Sequence, residues 1–421
     1  MIDIEDVKKM DRLDPLAPFR KQFYNAAHEI YLDGNSLGKL PIAAIQLLEN
    51  TISNQWGKQL IQSWNEHWLE LPKRLAQKYS LLLNASKGEL ILGESTSVRI
   101  YQVLFALIES GKYPKQLLTD ELNFPTDLYV MQALTKQFSL HELKIIKYGQ
   151  EIEAEISILK KAMEDSPGIF CLSLVSYKSA YMYPMKELNQ WAAAHQSIIV
   201  WDLSHAVGAI EIDLKSTETQ VALGCTYKYM NGGPGSPAFL YVSNELQEGL
   251  KNPIQGWFGH QKPFDFVPQY EAAQGLDQFY NGTPPVLSLQ AIEPGIDLTL
   301  EAGMNTIRKK SVLQSEFLIG MIQSELVPLH YQLQSPEQSH LRGSHVALSH
   351  PAAWQICQAL IKGDRNTPKI IPDFRPPHFI RLGITPLTTR FEDLWWVVIQ
   401  LKSIVESKVY LHFDSQKKNV T

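Results

Sequence analysis

The sequence predicts an α/β fold: a large domain on a mainly parallel sheet, followed by a smaller α+β domain. Between about residues 90 and 245, short β-branched runs alternate with longer helical patterns, which is how βαβ units read. After about residue 290, two long helical patterns give way to shorter strands. A chain of 421 residues, 44% hydrophobic and 20% charged, can bury the core such a fold needs.

The elements follow in order. Ile169–Ser176 (IFCLSLVS) and Ile198–Leu203 (IIVWDL) read as strands of the parallel sheet. The stretch between them, from about Met185 to His195, has helical spacing, and Ala238–Val242 (AFLYV) closes the series. Beyond it, residues 287–301 and 304–326 carry helical patterns, and strands are expected around Ser344–Ser349 and His378–Gly383. There is no internal repeat, low-complexity tract or marked linker.

Lys+Arg is 39 against Asp+Glu 44, a net charge of −5, so no global field gathers nucleic acid or an anionic membrane. Cys171, Cys225 and Cys357 are too few and scattered for a disulfide framework or a Cys-rich zinc site, and fit a reducing cytosol. The N-terminal MIDIEDVKKM lacks the apolar stretch of a secretory signal, and no apolar run approaches the roughly 18–20 residues that cross a bilayer. The expectation is a soluble, cytoplasmic protein.

Two segments carry chemistry. Asp202 ends an apolar strand, and in open α/β sheets ligands bind beyond the carboxyl ends of strands. The competing reading is a helix cap or a surface ion pair. Lys228 lies between Tyr227 and Tyr229, ahead of a glycine-rich loop; apolar and aromatic neighbours desolvate an ammonium, and a lysine made partly neutral forms Schiff bases. Alone it would read as a solvated lysine beside a turn. Together the two residues match what pyridoxal phosphate needs: an amine for its aldehyde and an acid for its ring nitrogen. Gly93–Val98 (GESTSV), ahead of a helical pattern, offers hydroxyls and backbone N–H groups for a phosphate, although Thr96 and Ser97 also suit simple N-capping.

At this point the sequence resembles the kynureninase family, pyridoxal-phosphate enzymes of fold type I close to the class-V aminotransferases. The resemblance rests on Tyr31–Gly38 (YLDGNSLG), Trp56-Gly57 with Trp64, Asn123–Tyr129 (NFPTDLY) and Trp201–His205 (WDLSH). It continues through Gly224–Pro237, Gly256–His260 (GWFGH), Gly282–Pro285 (GTPP), Arg342–His345 (RGSH), and Arg381 with Thr385–Leu387. It implies a division into an N-terminal segment 1–50 packed with the small domain, a large cofactor-binding domain 51–290 and a small domain 291–421.

The resemblance also implies roles. Lys228 holds the cofactor as a Schiff base and moves protons at the substrate α-carbon, Asp202 pairs with the ring nitrogen, and Tyr227 relays a proton. Phe124 stacks on the ring, with His205, Asp127 and Ser173 beside it. Thr96, Ser97, Tyr227 and Trp257 surround the phosphate. Thr283 contacts phosphate or substrate from the second subunit of a homodimer. Arg381 clamps the substrate α-carboxylate, with Arg375 the competing assignment; Ser36, Trp64 and Thr283 face the aromatic end. The implied reaction is hydrolytic Cβ–Cγ cleavage of L-kynurenine to anthranilate and L-alanine, within tryptophan catabolism and the route to NAD. The Gly282-Thr283 form of its motif favours kynurenine over 3-hydroxykynurenine.

Two positions depart from the family: Ala180 stands where glycine is frequent, and Arg99 where asparagine is common. Neither is expected to touch the acid–base groups, so tolerance is expected. Other readings compete. Gly34–Gly38 satisfies G-x-S-x-G, yet a serine hydrolase sheet needs several strands before that turn. A cysteine desulfurase shares the fold but needs a reactive thiolate, and Cys357 lies in an apolar helical pattern. A glycine-rich nucleotide cradle at 232–235 is interrupted by Pro234, and metal binding by Asp202 and His205 lacks further ligands. A non-catalytic binding protein is disfavoured because Lys228, Asp202 and Arg381 are all present.

Overall fold

The computed structural model describes residues 2–363 and 367–416. Among the described residues the larger sheet has seven strands, in the order Leu90–Leu92, Phe239–Val242, Val221–Gly224, Ile198–Asp202, Ile169–Ser173, Leu117–Asp120 and Lys144–Ile146. Phe239–Val242 runs antiparallel to both neighbours and the other pairings are parallel. The three central strands, IFCLS, IIVWD and VALG, are buried at every position, because helices cover both faces of a parallel sheet.

The expected strand to Ser176 ends at Ser173 instead. Ser173 is the register partner of Asp202, where the neighbouring strand also ends. Past that pair the chain folds back on itself, with the Ser176 N–H donating to Tyr181 O at 2.8 Å and Ala180 at φ +66°. Leu90–Leu92, Leu117–Asp120, Lys144–Ile146 and Val221–Gly224 were not legible beforehand; at three or four residues they are too short to show a period.

A second sheet is antiparallel, in the order Asp373–Arg375, Phe379–Gly383, His345–Ser349, Gln332–Leu333. It packs on the helices Met304–Met321, Ala353–Lys362 and Phe391–Glu406 around Val346, Leu348, Ile356, Leu382 and Val397. The N-terminal segment lies on this part of the chain. Glu29–Tyr31 pairs in parallel with Lys369–Ile371, and the Asp11 carboxylate accepts from the N–H groups of Phe391 and Glu392 at 2.8 and 2.9 Å, at the start of another helix. Residue 290 falls inside the helix Val286–Ala302, whose Leu289, Ile292 and Ile296 belong to the core of the seven-stranded sheet. The change of core comes nearer Gly303, whose φ of +75° separates this helix from Met304–Met321. No helix among the described residues is long and apolar enough to cross a membrane.

Candidate active site

Strand pairing sets the frame. Ser173 and Asp202 sit side by side at the carboxyl ends of adjacent strands, and the loops leaving Asp120, Asp202 and Gly224 emerge at the same edge. Asp202 Oδ1 accepts from the Ser204 N–H at 2.8 Å, which turns the chain so that His205 follows directly. Ser204 Oγ in turn accepts from the Cys225 N–H at 3.0 Å, tying this turn to the loop that carries Lys228. Lys228 Nζ reaches 2.8 Å from His205 Nε2, and lies 5.7 Å from the centre of the Phe124 ring and 5.9 Å from that of Tyr227.

Burial and charge divide these groups. Burial raises Asp202, while Lys228 and the Ser204 N–H pull it back toward the carboxylate. Asp127 is pushed up well above the usual carboxylate range by burial and then by the negative Asp202, so of the two it is Asp127 that keeps its proton. Burial and the neighbouring Lys228 hold His205 well below the ordinary histidine range. Burial raises the Tyr227 phenol, with Cys225 adding to it.

Asn123 organises the turn before Phe124. Its side-chain N–H groups donate to Thr119 Oγ1 and Cys171 O, both at 3.0 Å, while its oxygen accepts from Ser173 Oγ at 2.6 Å and the Phe124 N–H at 2.9 Å. The Ser173 hydroxyl proton is therefore already used within the protein.

The YLDGNSLG segment threads between the two sheets. The Gly38 N–H donates to Tyr227 O at 2.7 Å, and a Cβ at Gly38 would collide with the Lys228 carbonyl; a Cβ at Gly34 would collide with Thr385. This passage delivers Ser36 to two guanidiniums: its Oγ accepts from Arg375 and Arg381, each at 3.2 Å. Arg381 is fully buried, bonded to Asp373 and to Tyr177 O. Arg375 shares Asp373, at 3.1 Å, but its side chain is 33% exposed. Burial, with Asp373 adding, raises the Asp33 carboxyl to about 6.

Ser95, not Thr96 or Ser97, caps the helix Thr96–Ser110, accepting from the Val98 N–H at 3.4 Å. Thr96 and Ser97 are half-buried in its first turn and are not spent on capping. Trp64 and Thr283 lie elsewhere: they line an open apolar groove of about 570 Å³ with Trp56, Leu60, Ile61 and Trp68, whose lining does not include Lys228, Asp202 or His205. Trp257 packs on Trp64, with ring centroids 6.4 Å apart. Within one chain, the structure thus brings together Lys228, His205, Asp202, Phe124, Asp127, Tyr227 and Ser173, with Arg381 and Ser36 beside them, and leaves Trp64, Trp257 and Thr283 apart.

The sequence reading assigned no role to His345, Asp33, Asp373 or Asn123. His345 is fully buried with its ring 6.0 Å from that of His205, and its Nδ1 has no hydrogen-bond partner among the described residues. The RGSH and YLDGNSLG motifs pointed to these segments, but which side chain faces the site depends on strand register. Among the described residues Arg99 bonds to none of the acid–base groups; it is fully buried, and its Nε donates to Gly93 O at 2.9 Å, in the loop ahead of Thr96. The serine hydrolase and desulfurase readings lose ground. Ser36 is flanked by cations, with no histidine contact, and burial raises the thiols of Cys171, Cys225 and Cys357.

The residues fit pyridoxal phosphate on observations internal to the chain. Asp127 Oδ2 and His205 Nδ1 are buried without partners, Asp202 is a buried acid beside a lysine, and Lys228 presents its amine between aromatic faces. Comparison with known proteins points the same way. Residues 30–353 match the class-V aminotransferase family and residues 307–401 the kynureninase C-terminal domain. A kynureninase of Burkholderia pseudomallei is 36% identical over 96% of both chains, and one of Pseudomonas fluorescens 35% identical over 98% of both. Among solved structures, a C-DES mutant with glycine covalently linked to its PLP cofactor superposes with a TM-score of 0.80 at 17% identity, covering 91% of this chain and 98% of that one. An apo cysteine desulfurase from Thermococcus onnurineus gives 0.76 at 17% identity, covering 97% and 99%. Those two structures share the fold.

Proposed function

The chain belongs to the kynureninase family, and on that premise we propose how its own residues carry out hydrolytic cleavage of the Cβ–Cγ bond of L-kynurenine to anthranilate and L-alanine. The observation that carries the reading is Lys228 Nζ, 2.8 Å from a buried neutral His205 and beside the buried acid Asp202 at one sheet edge. When bound, pyridoxal phosphate supplies an aldehyde for an amine and a ring that takes up carbanion charge.

Lys228 provides that amine and, once free, moves the proton at the substrate Cα. Asp202 would accept from the cofactor's ring N–H, and Phe124 would cover the ring face. Asp127, protonated, would have a hydrogen to donate beside the ring, and Ser173 and His205 would line it. Thr96 and Ser97 offer hydroxyls and first-turn N–H groups to the phosphate, with Tyr227 nearby to relay a proton. Arg381 takes the substrate α-carboxylate as a fork, and Ser36 orients its terminal nitrogen. The oxygen of water ends in the anthranilate carboxylate, and the substrate Cβ becomes the alanine methyl.

Trp64, Trp257 and Thr283 join the site from the partner in a homodimer; the apolar groove that Trp64 and Thr283 line, with Trp257 packed on Trp64, supports that arrangement. The enzyme works in the cytoplasm, in tryptophan breakdown and the route to NAD, and prefers kynurenine to 3-hydroxykynurenine. We keep as a proposal the division into segments 1–50, 51–290 and 291–421, with its second boundary moved toward Gly303 because residue 290 lies inside a helix.

The test is direct. Purified protein loaded with pyridoxal phosphate is given kynurenine, and anthranilate and alanine are separated by chromatography. Equimolar appearance of the two is the expected result. Sulfide release from cysteine without anthranilate would assign the fold to a desulfurase instead.

A further inference from the structure

Arg99 takes no part in the steps above, yet it is fully buried under the loop that leads into the helix Thr96–Ser110. Its Nε donates to Gly93 O at 2.9 Å, and one terminal nitrogen donates to Phe279 O at 2.7 Å and to Gln102 Oε1 at 3.0 Å. The other terminal nitrogen has no hydrogen-bond partner among the described residues. A Cβ at Gly93 would stand 3.1 Å from that nitrogen, so the unpartnered N–H groups lie against the phosphate loop where the glycine leaves room.

Every partner of this guanidinium is neutral. Among the described residues no carboxylate forms an ion pair with Arg99; Glu94, half-buried in the same loop, attracts it from farther away. Burial lowers the guanidinium to about 10, so it remains charged at neutral pH. A buried cation is costly unless an anion compensates it. The network beneath it is rigid: Gln102 donates to Asn252 and Asn281, both at 2.9 Å, and to Phe279 O at 3.2 Å. It therefore ties the Gly93 loop to the segment just before Thr283.

We propose that Arg99 is the internal counter-charge of the cofactor phosphate. It is a positioning residue that acts from beneath Gly93 through the loop and first helical turn, strengthening binding of a phosphate dianion. The inference rests on reading the Lys228 site as a pyridoxal-phosphate site.

The experiment titrates the apoprotein with pyridoxal phosphate and, separately, with pyridoxal, following the absorption of the bound aldehyde, for the unaltered protein, Arg99→Gln and Arg99→Lys. Arg99→Gln is expected to weaken the phosphorylated ligand by about tenfold or more while changing pyridoxal by less than about twofold, and Arg99→Lys to recover most of the difference. Equal losses for both ligands, or an unchanged ratio, would overturn the proposal by showing a structural role alone. Should Arg99→Gln fail to fold, Gln102→Glu keeps the guanidinium and places a carboxylate beside it; the ratio is expected to fall there too, and its persistence overturns the proposal. Failure of the unaltered protein to bind either aldehyde would instead reject the cofactor site itself. Inorganic phosphate as a competitor separates the sources of the anion: displacement of pyridoxal phosphate but not of pyridoxal supports a site for the phosphate group, and displacement of neither opposes it.

Discussion

Lys228 Nζ and His205 Nε2 are 2.8 Å apart. When the lysine carries its proton, its ammonium can only donate, so Nε2 accepts and the imidazole proton sits on Nδ1, which has no hydrogen-bond partner among the described residues. Burial, followed by the positive Lys228 and Arg381, keeps that ring neutral. His205 therefore orients the amine without charging the site, and the negative charge facing the amine comes from Asp202.

Lys228→Ala removes the amine proposed to hold the cofactor and to move the Cα proton. The visible absorption of the bound aldehyde is expected to disappear, and anthranilate production to fall by at least about 10³-fold. Turnover near the unaltered rate would reject Lys228 as the base.

The two arginines should separate in kinetics. Arg381 is fully buried against Asp373, so Arg381→Gln is expected to cost about 100-fold or more in kcat/KM and about 3 kcal/mol of stability, because a buried carboxylate loses its main partner. Arg375, a third exposed, should cost about tenfold or less when changed to Gln. The reverse order, measured by steady-state kinetics and urea melts, would hand the carboxylate clamp to Arg375.

Ala180 occupies the left-handed region at φ +66°, where glycine is frequent in the family. Its N–H donates to Ser176 O at 3.0 Å and its carbonyl accepts from Gly343 at 2.8 Å, so neighbouring bonds hold this conformation in place. Ala180→Gly relieves the Cβ clash but frees the unfolded chain, for a net gain of roughly 0.5 kcal/mol. A urea midpoint that moves down would contradict this account.

Asp120 gives a pH signature away from the site. Tyr183 and Tyr148 donate to it at 2.5 and 3.0 Å, but burial dominates and raises its carboxyl to about 6 from 3.8. The folded state thus holds a proton that the unfolded chain has lost. Its contribution to stability is fully present below the unfolded value and disappears as pH rises through about 6. Relative to Asp120→Asn, whose amide does not ionise, the unaltered protein should lose about 1.5 kcal/mol between about pH 5 and 7.5. Parallel stability profiles for the two proteins would refute it.

The apolar groove gives a test of assembly. Ile61 is 76% exposed, Leu60 58% and Trp56 56%, in the groove that also contains Thr283. Ile61→Asp is expected to convert the proposed homodimer to monomer in light scattering and to reduce activity with it, since on that proposal Thr283 would no longer reach a partner's site. A monomeric unaltered protein with full activity would remove the shared-site arrangement.

Much of this enzyme is written locally. The runs IFCLS and IIVWD announce buried parallel strands through their apolar content, and an acid ending the second of them already places Asp202 at the ligand edge. The lysine between two tyrosines and the motifs around it carry their chemistry wherever they fold. The three- and four-residue strands escaped because so few side chains define no period, and the register that aligns Ser173 with Asp202 is set by pairing between two strands, which neither run encodes alone.

What only the tertiary structure decided is which distant polar groups meet. Ser36 reaches Arg375 and Arg381 because Glu29–Tyr31 pairs with Lys369–Ile371, a contact between the two ends of the chain. Arg99 acquires Phe279 and Gln102 as neighbours, and forms no ion pair among the described residues, through packing that no spacing encodes. Local sequence governs backbone preference and which residues seek burial. Pairing between remote segments, and the low-dielectric surroundings it creates, determine which buried charge is compensated and which is left for a ligand to complete.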